Sequence, residues 1–235
     1  MKKVLIKNGT LVTASETVKS NLLIEGEKIA AVGTMDVPDA DVVDAEGKLV
    51  MPGGIDPHVH LALPMFNTIS SDDHYTGGKA AAFGGTTTLL DFINQPDDGP
   101  FQAGLDEWMK NSEKSPIDYS CHMNVTRLDD EVLKDIPSLA DQGFTTLKMF
   151  TAYNGRLRLD DKSIFRVMRV AAEHGMLPLI HAENGDVIEV LVEEAVAAGH
   201  TSPEWHAYTR PAWGAGDAVL RVAMLARQAD APVYI

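Results

Sequence analysis

Gly53-Gly54-Ile55-Asp56-Pro57-His58-Val59-His60 marks the point at which the pattern of this chain changes. Before it, residues 1–52 carry short β-type runs, VLIKN, TLVTA, NLLIEG, KIAAVG, DVVDA and KLVMPG, broken by Gly, Asn and Asp. Many short strands with no helical period predict a small antiparallel sheet or β-sandwich, with tight turns at Asn8-Gly9 and Gly26-Glu27 and no chemistry of its own. After it, apolar strands alternate with helical stretches of ten or more residues. That alternation predicts an α/β chain whose residues 53–235 form parallel βα units of a TIM-type (β/α)8 barrel. Strands are expected at 54–61, 86–92, 117–125, 145–151, 177–182 and 232–235, with helices at 73–83, 102–113, 129–142, 161–174, 186–198 and 216–229. A complete barrel takes eight strands and about 250 residues. Only six strands are read here, and the run ending Pro232-Val233-Tyr234-Ile235 is itself strand-like, so the barrel is expected to be incomplete. The chain then reads as a fragment of a longer protein or as a truncated product.

Composition narrows the classes. With 45% hydrophobic residues in 235, the chain has ample material for a buried core. No apolar run reaches the roughly 20 residues of a membrane helix, and MKKVLIKNGT turns polar too early for a secretion signal, so a cytoplasmic location is the expectation. The single cysteine, Cys121, rules out an intrachain disulfide and reads as an inert buried thiol in YSCHM. A net charge of −14, with no basic patch, disfavours nucleic acid or an anionic membrane as partner.

The chemistry-bearing residues fall at the ends of the predicted strands, which is where such a barrel places its active site. On a strand, His58 and His60 point to one face, two pleats apart, and can share a metal ion. Alone, an HxH pair is weak. Lys148, in Thr146-Leu147-Lys148-Met149-Phe150, is costly to bury, and taken alone it reads as an edge lysine with its amine in water. Desolvation lowers a lysine pKa, however, and a neutral amine can add carbon dioxide to give a carbamate, a carboxylate on a long arm. His181 follows the apolar run Leu177-Pro178-Leu179-Ile180 and precedes a turn into a helix. Tyr153, five residues after the lysine, can donate a hydrogen bond to a carbonyl oxygen as it becomes an oxyanion. Other residues read as structural: His122 and His74 as satisfied histidines, Asp72 and Asp73 as helix caps, and Gly84-Gly85-Thr86 as a helix stop. Asp56 can orient the histidine pair, and His200 and His206 receive no role.

Five separated motifs, GGIDPHVH, AAFGGTTTLLDF, GFTTLKMFTAYNG, HAENGDV and HAYTRP, resemble in that order the hydantoinase and dihydropyrimidinase branch of the cyclic amidohydrolases. The similarity runs from Met1 to Ile235. It implies two divalent metal ions, zinc by ligand chemistry, though cobalt or manganese suits the same donors. His58, His60 and a carbamylated Lys148 would hold one ion; Lys148, His181 and a histidine beyond Ile235 would hold the other. It also implies that Tyr153 contacts the substrate carbonyl, and that the protein is a homotetramer. The activity implied is ring opening of a cyclic amide, a hydantoin or a dihydropyrimidine such as dihydrouracil, by a hydroxide bridging the two ions. The proton donor for the departing ring nitrogen would be an aspartate further along the family's sequence.

Dihydroorotases carry an arginine shortly after their HxH. Here Leu61-Ala62-Leu63-Pro64 follows, which favours a neutral ring. An allantoinase-like sibling and a non-catalytic assembly protein on the same fold are the rival readings. The retention of His58, His60, Lys148 and His181 together speaks against the second.

Overall fold

The computed structural model describes residues 2–65 and 67–235, and it divides into two compact units, Met1–Gly54 and Ile55–Ile235. In the first unit, β1 (Lys3–Lys7) pairs antiparallel with β4 (Asn21–Glu25) and parallel with β6 (Asp41–Asp44). β5 (Lys28–Gly33) extends this sheet beyond β4. A second sheet joins β2 (Thr10–Val12) to β3 (Thr17–Lys19) and β7 (Leu49–Val50). Leu5, Leu11, Leu23 and Ala45 supply the unit's buried apolar residues. All six β runs read from the sequence form strands. β3, whose residues are all exposed, is the one without an apolar run to betray it. Asn8 and Gly26, both at φ 64°, make the two expected turns, and these residue types tolerate that left-handed backbone.

The second unit's sheet takes its strands in sequence order: β8 (Gly54–Asp56), β11 (Thr86–Ile93), β12 (Asp118–Asn124), β13 (Thr146–Phe150) and β14 (Leu177–His181). From β11 to β14 every pairing is parallel. Helices α1 (His74–Phe83), α2 (Phe101–Ser112), α3 (Asp130–Asp141) and α4 (Asp161–Glu173) make the crossovers between consecutive strands. α5 (Gly185–Ala197), the short α6 (Trp205–Tyr208) and α7 (Ala212–Ala229) follow β14, and β9 (Pro64–Met65) and β10 (Thr68–Ile69) form a small hairpin before α1. Consecutive parallel strands joined by helices are the arrangement of an incomplete (β/α)8 barrel, as the alternation predicts.

Two strands of this unit are markedly shorter than the sequence suggests, its other expected strands differing in length by two residues or fewer. β8 ends at Asp56 rather than continuing to residue 61, because Pro57 has no N–H to continue a ladder. The 232–235 run makes one bridge, Tyr234 to Leu179, with Pro232 again lacking a donor. Pro178 lies inside β14 at the position whose N–H would point toward Tyr234, while its carbonyl accepts the Tyr234 N–H at 2.9 Å.

Strand register decides what each face carries. Phe92 pairs with His122, Asn124 with Lys148, Lys148 with Leu179 and Phe150 with His181. Paired residues of parallel strands point the same way and alternate residues share a face, so Phe92, His122, Asn124, Lys148, Phe150, Leu179 and His181 lie on one side. Cys121, Met123, Leu147, Met149 and Ile180 lie on the other, in the core packed with Phe101, Ile136, Leu139, Ile164, Met168 and Val222 from the helices. Burial pushes the Cys121 thiol well above its ordinary value, so it is an inert core residue.

Three helices start on aspartate caps: Asp73, Asp129 and Asp160 accept backbone N–H groups of the first turn, and Asp73 with Thr76 completes a capping box. Hydrogen bonds from Ser163 hold the Asp160 carboxyl below its ordinary 3.8; backbone hydrogen bonds from Val132 and Thr76 do the same for Asp129 and Asp73. A carboxyl with a depressed folded-state pKa contributes stability that is present above its unfolded pKa and lost as the pH falls through the folded value. Helical signal in an acid titration is therefore expected to hold down to about pH 4 and to fall below it. Asp160→Ala should lower stability at pH 7 by about 1 kcal/mol, with the difference from the parent shrinking in acid. A difference independent of pH would exclude the ionised cap.

Candidate metal centre

His58 and His60 stand in the loop after β8, not on a strand face as the HxH spacing suggests. They nevertheless come together: their rings are 5.2 Å apart, edge to face. The loop is braced along its length. The His58 N–H donates to Asp56 Oδ1 at 3.1 Å, the Val59 N–H to the Leu90 carbonyl at 3.1 Å, and His122 Nε2 lies 2.9 Å from the Pro57 carbonyl. His122 Nδ1 lies 2.7 Å from Thr146 Oγ1, so this buried histidine is satisfied, as expected, and supports the residue before His58.

Phe92 is the hub of the arrangement. Its ring centroid lies 4.4 Å from that of His58, 4.9 Å from His60 and 4.8 Å from His122. Lys148 Nζ lies 5.8 Å from the same ring and 5.3 Å from that of Phe150. This lysine is half-buried between aromatic faces rather than snorkelling into water. Desolvation lowers its pKa. Desolvation also lowers the pKa of His58, with like charge from His60 and Lys148 adding to it, and burial lowers that of His60 and His122. Neutral imidazoles are the form that offers a lone pair to a metal.

His181 reaches the same face from the end of β14. Its ring is 6.1 Å from that of Phe150 and 5.2 Å from that of Tyr153. Its Nε2 is 2.6 Å from Glu183 Oε2, which leaves Nδ1 as its other donor atom. Thr151, 1% exposed, ties the two strand ends together: its N–H and hydroxyl donate to the His181 carbonyl, and its hydroxyl also meets the carbonyl and N–H of Glu183. Tyr153 has φ 67°, a conformation that costs energy for a residue with a side chain. It is held there by three N–H groups, of Arg156, Leu157 and Arg158, on its carbonyl. A cavity of about 360 Å³ is lined by Tyr153, Glu183 and Arg210 among others. A larger one, of about 460 Å³ beside Arg127 and Asp129, contains none of these residues.

Among the described residues, no three His, Cys, Asp or Glu side chains stand together as a ready ligand set. The two clusters are His58, His60 and Lys148 around Phe92, and His181 with Tyr153 beyond Phe150. His74 is a core histidine that is only half satisfied, its Nε2 meeting Asp91 Oδ2 while its buried Nδ1 finds no hydrogen-bond partner among the described residues; Asp73 is a cap, and Asp72 serves through its carbonyl, which accepts the Ala62 N–H. Gly84 and Gly85 end α1 as expected. His200 stacks on Trp205 at 3.8 Å, and both His200 and His206 lie outside these two clusters. Sequence reasoning passes over Phe92, Asp91, Thr151 and Glu183. A lone carboxylate in TTTLLDFI and an acidic residue two positions after His181 are the signals that point to Asp91 and Glu183.

Residues 49–210 match the Amidohydrolase family. The chain is 42% identical over 234 residues to a D-hydantoinase of Geobacillus stearothermophilus, covering 98% of this chain and 50% of that protein. It is 38% identical over 236 residues to a dihydropyrimidinase of Arabidopsis thaliana, covering 99% of this chain and 44% of that one. The crystal structure of dihydropyrimidinase from Brevibacillus agri superposes with a TM-score of 0.96 at 43% identity, over 99% of this chain and 51% of that one. The chain thus spans about half the length of the curated relatives it matches.

Proposed function

Because the chain belongs to the amidohydrolase family, we propose that it carries the first part of a binuclear metal site that opens cyclic amides, hydantoins or dihydropyrimidines. The names of its relatives, D-hydantoinase and dihydropyrimidinase, support the substrate class. The observation that carries the reading is the gathering of His58, His60 and Lys148 about one aromatic ring, with His181 on the same face of the sheet.

The donors fit metal ions of the zinc kind: imidazoles biased toward the neutral form beside a desolvated amine. His58, His60 and Lys148 would hold one cation, and Lys148 with His181 would contribute to a second. When bound, such ions polarise a carbonyl oxygen and acidify a water that attacks it. Lys148 serves as a carbamate in this reading. Its neutral Nζ lone pair forms a bond to the carbon of carbon dioxide, one C=O pair moves to oxygen, and the nitrogen gives its proton to solvent. Glu183 holds the His181 ring through Nε2 and so fixes which nitrogen stays available. The Tyr153 hydroxyl donates to the ring carbonyl oxygen as negative charge builds there.

Two surroundings belong to the same reading, a cytoplasmic setting and a homotetrameric assembly. Among the described residues, no helix is long and apolar enough to cross a membrane. The test is elemental analysis of the purified protein beside turnover of hydantoin and dihydrouracil. Bound divalent metal with ring opening that stops on chelation is the expected result. Protein free of metal, or metal-loaded protein that leaves every cyclic amide intact, would exclude it.

A further inference from the structure

We propose that Asp91 is a positioning residue for the loop that carries His58 and His60, a role that rests on the metal reading of those histidines. Asp91 lies near the C-terminal end of β11, 3% exposed, on the sheet face turned toward the helices. Its Oδ1 accepts the Phe92 N–H at 2.7 Å and meets the Leu61 N–H at 3.4 Å. Its Oδ2 accepts the Trp108 Nε1–H at 3.2 Å and lies 3.0 Å from His74 Nε2. One carboxylate therefore joins β11, α1, α2 and the residue that follows His60.

Burial gives those bonds their importance. A carboxylate withdrawn from water is costly unless N–H groups take its lone pairs, so its donors are held in place together. Two of them flank the site. Phe92 carries the ring on which His58, His60 and Lys148 are arranged, and Leu61 is bonded to His60. The next residue, Ala62, has φ 48°, a left-handed conformation that persists only where the surroundings enforce it. Two hydrogen bonds enforce it here: the Ala62 N–H to the Asp72 carbonyl at 2.8 Å and the longer Leu61 N–H to Asp91. Releasing the second lets the turn relax and carries His60 with it.

Asparagine at this position has the right shape and one acceptor oxygen too few. If that oxygen faces Leu61 and Phe92, the amide NH₂ opposes the indole N–H of Trp108, which can only donate. If it faces Trp108, the NH₂ opposes two backbone donors and the Leu61 tether is lost.

The experiment compares the parent protein with Asp91→Asn and with Trp108→Phe. The latter removes one donor and leaves the tether. Zinc alone is the probe, its affinity read by competition with a chromophoric chelator, and exchange of the Leu61 amide is read by NMR without metal. Asp91→Asn is expected to weaken zinc binding about ten- to hundredfold and to speed Leu61 exchange about tenfold. Trp108→Phe removes one donor from Oδ2 but leaves Oδ1 and the Leu61 N–H in place, so it should move both readouts clearly less than Asp91→Asn does. Zinc affinity unchanged in Asp91→Asn, or lost equally in Trp108→Phe, overturns the proposal. So does a Leu61 amide that exchanges freely in the parent protein, a measurement that needs no folded variant. If the parent takes up no zinc, the metal reading falls, and Leu61 exchange still decides the anchoring: slowed in the parent and released in Asp91→Asn upholds it, unchanged overturns it.

Discussion

Lys148→Met is expected to remove metal binding and to reduce cyclic-amide turnover to background, a loss of at least about a thousandfold, while leaving the metal-free fold as stable as before or more so. The combination is what makes the result diagnostic. A half-buried ammonium between the rings of Phe92 and Phe150 costs the apo protein desolvation, which its lowered pKa reports. Methionine fills nearly the same space without that cost. If Lys148 were a structural lysine paired to the fold, the substitution would lower the thermal midpoint and leave metal content alone. If it is the carbamylated ligand, metal content falls while the midpoint of the metal-free variant is no lower than that of the metal-free parent. Lys148→Arg gives a second arm of the test, because a guanidinium keeps the charge and cannot form the carbamate. It should fail as completely as methionine. Lys148→Ala opens space at the same position, and short carboxylic acids added to that variant should restore part of the metal binding by supplying the missing carboxylate. Carbon-13 bicarbonate should place a carbamate resonance in the parent protein and in none of these variants. A Lys148→Met protein that retained both metals would remove the bridging role.

The sequence carries the barrel well because its signals are periodic. Helices α1 to α5 form within two residues of their expected bounds; in α1, α3, α4 and α5 aspartate or asparagine caps and glycine stops agree with the apolar spacing, whereas α2 starts on Pro100 with no side-chain cap. The site is legible only as a set of residues at strand ends, not as geometry. HxH spacing reads as one strand face, yet Pro57 ends the strand and the pair meets in a loop instead. What brings the histidines together is not in their own motif. It is Phe92, from the next strand, and the buried bonds of His122 and Asp91, residues 30 or more positions away from the groups they hold. Sequence distance hides such contacts, and a lone aromatic or acidic residue in an apolar run looks like core. The lysine is the opposite case. Its expense in a strand is visible in the sequence, and the same desolvation lowers its pKa, the property on which the proposed carbamate rests.

Tyr153→Phe is expected to lower kcat about a hundred- to a thousandfold, with KM changed little and metal content unchanged. The argument begins with the backbone. A tyrosine at φ 67° is strained, and the surroundings hold it by several independent bonds. Its carbonyl takes three N–H groups, the Leu159 N–H closes the loop on the Phe150 carbonyl at 3.0 Å, and Asn154 Nδ2 reaches Asp186 and Glu189 on α5 at 2.9 and 2.7 Å. Arg158 adds an ion pair to Asp186. Gly185, the first residue of α5, lets that helix approach, for a Cβ there would stand 2.8 Å from Ala152 Cα and 2.6 Å from Asn154 Oδ1. The outcome is a phenol carried beside His181, ring to ring at 5.2 Å, in a residue that is still 43% exposed and lines the cavity of about 360 Å³. Desolvation, with the Glu183 charge adding to it, raises its pKa above the ordinary 10.0, so the hydroxyl keeps its proton and remains a donor. Phenylalanine preserves the ring contacts and the strained turn and removes that one proton. A donor that matters only once the carbonyl oxygen is charged affects the chemical step and not ground-state binding, which is why the loss should appear in kcat. An equal rise in KM at constant kcat would make Tyr153 a binding residue, and an unchanged rate would make it a residue of the loop alone.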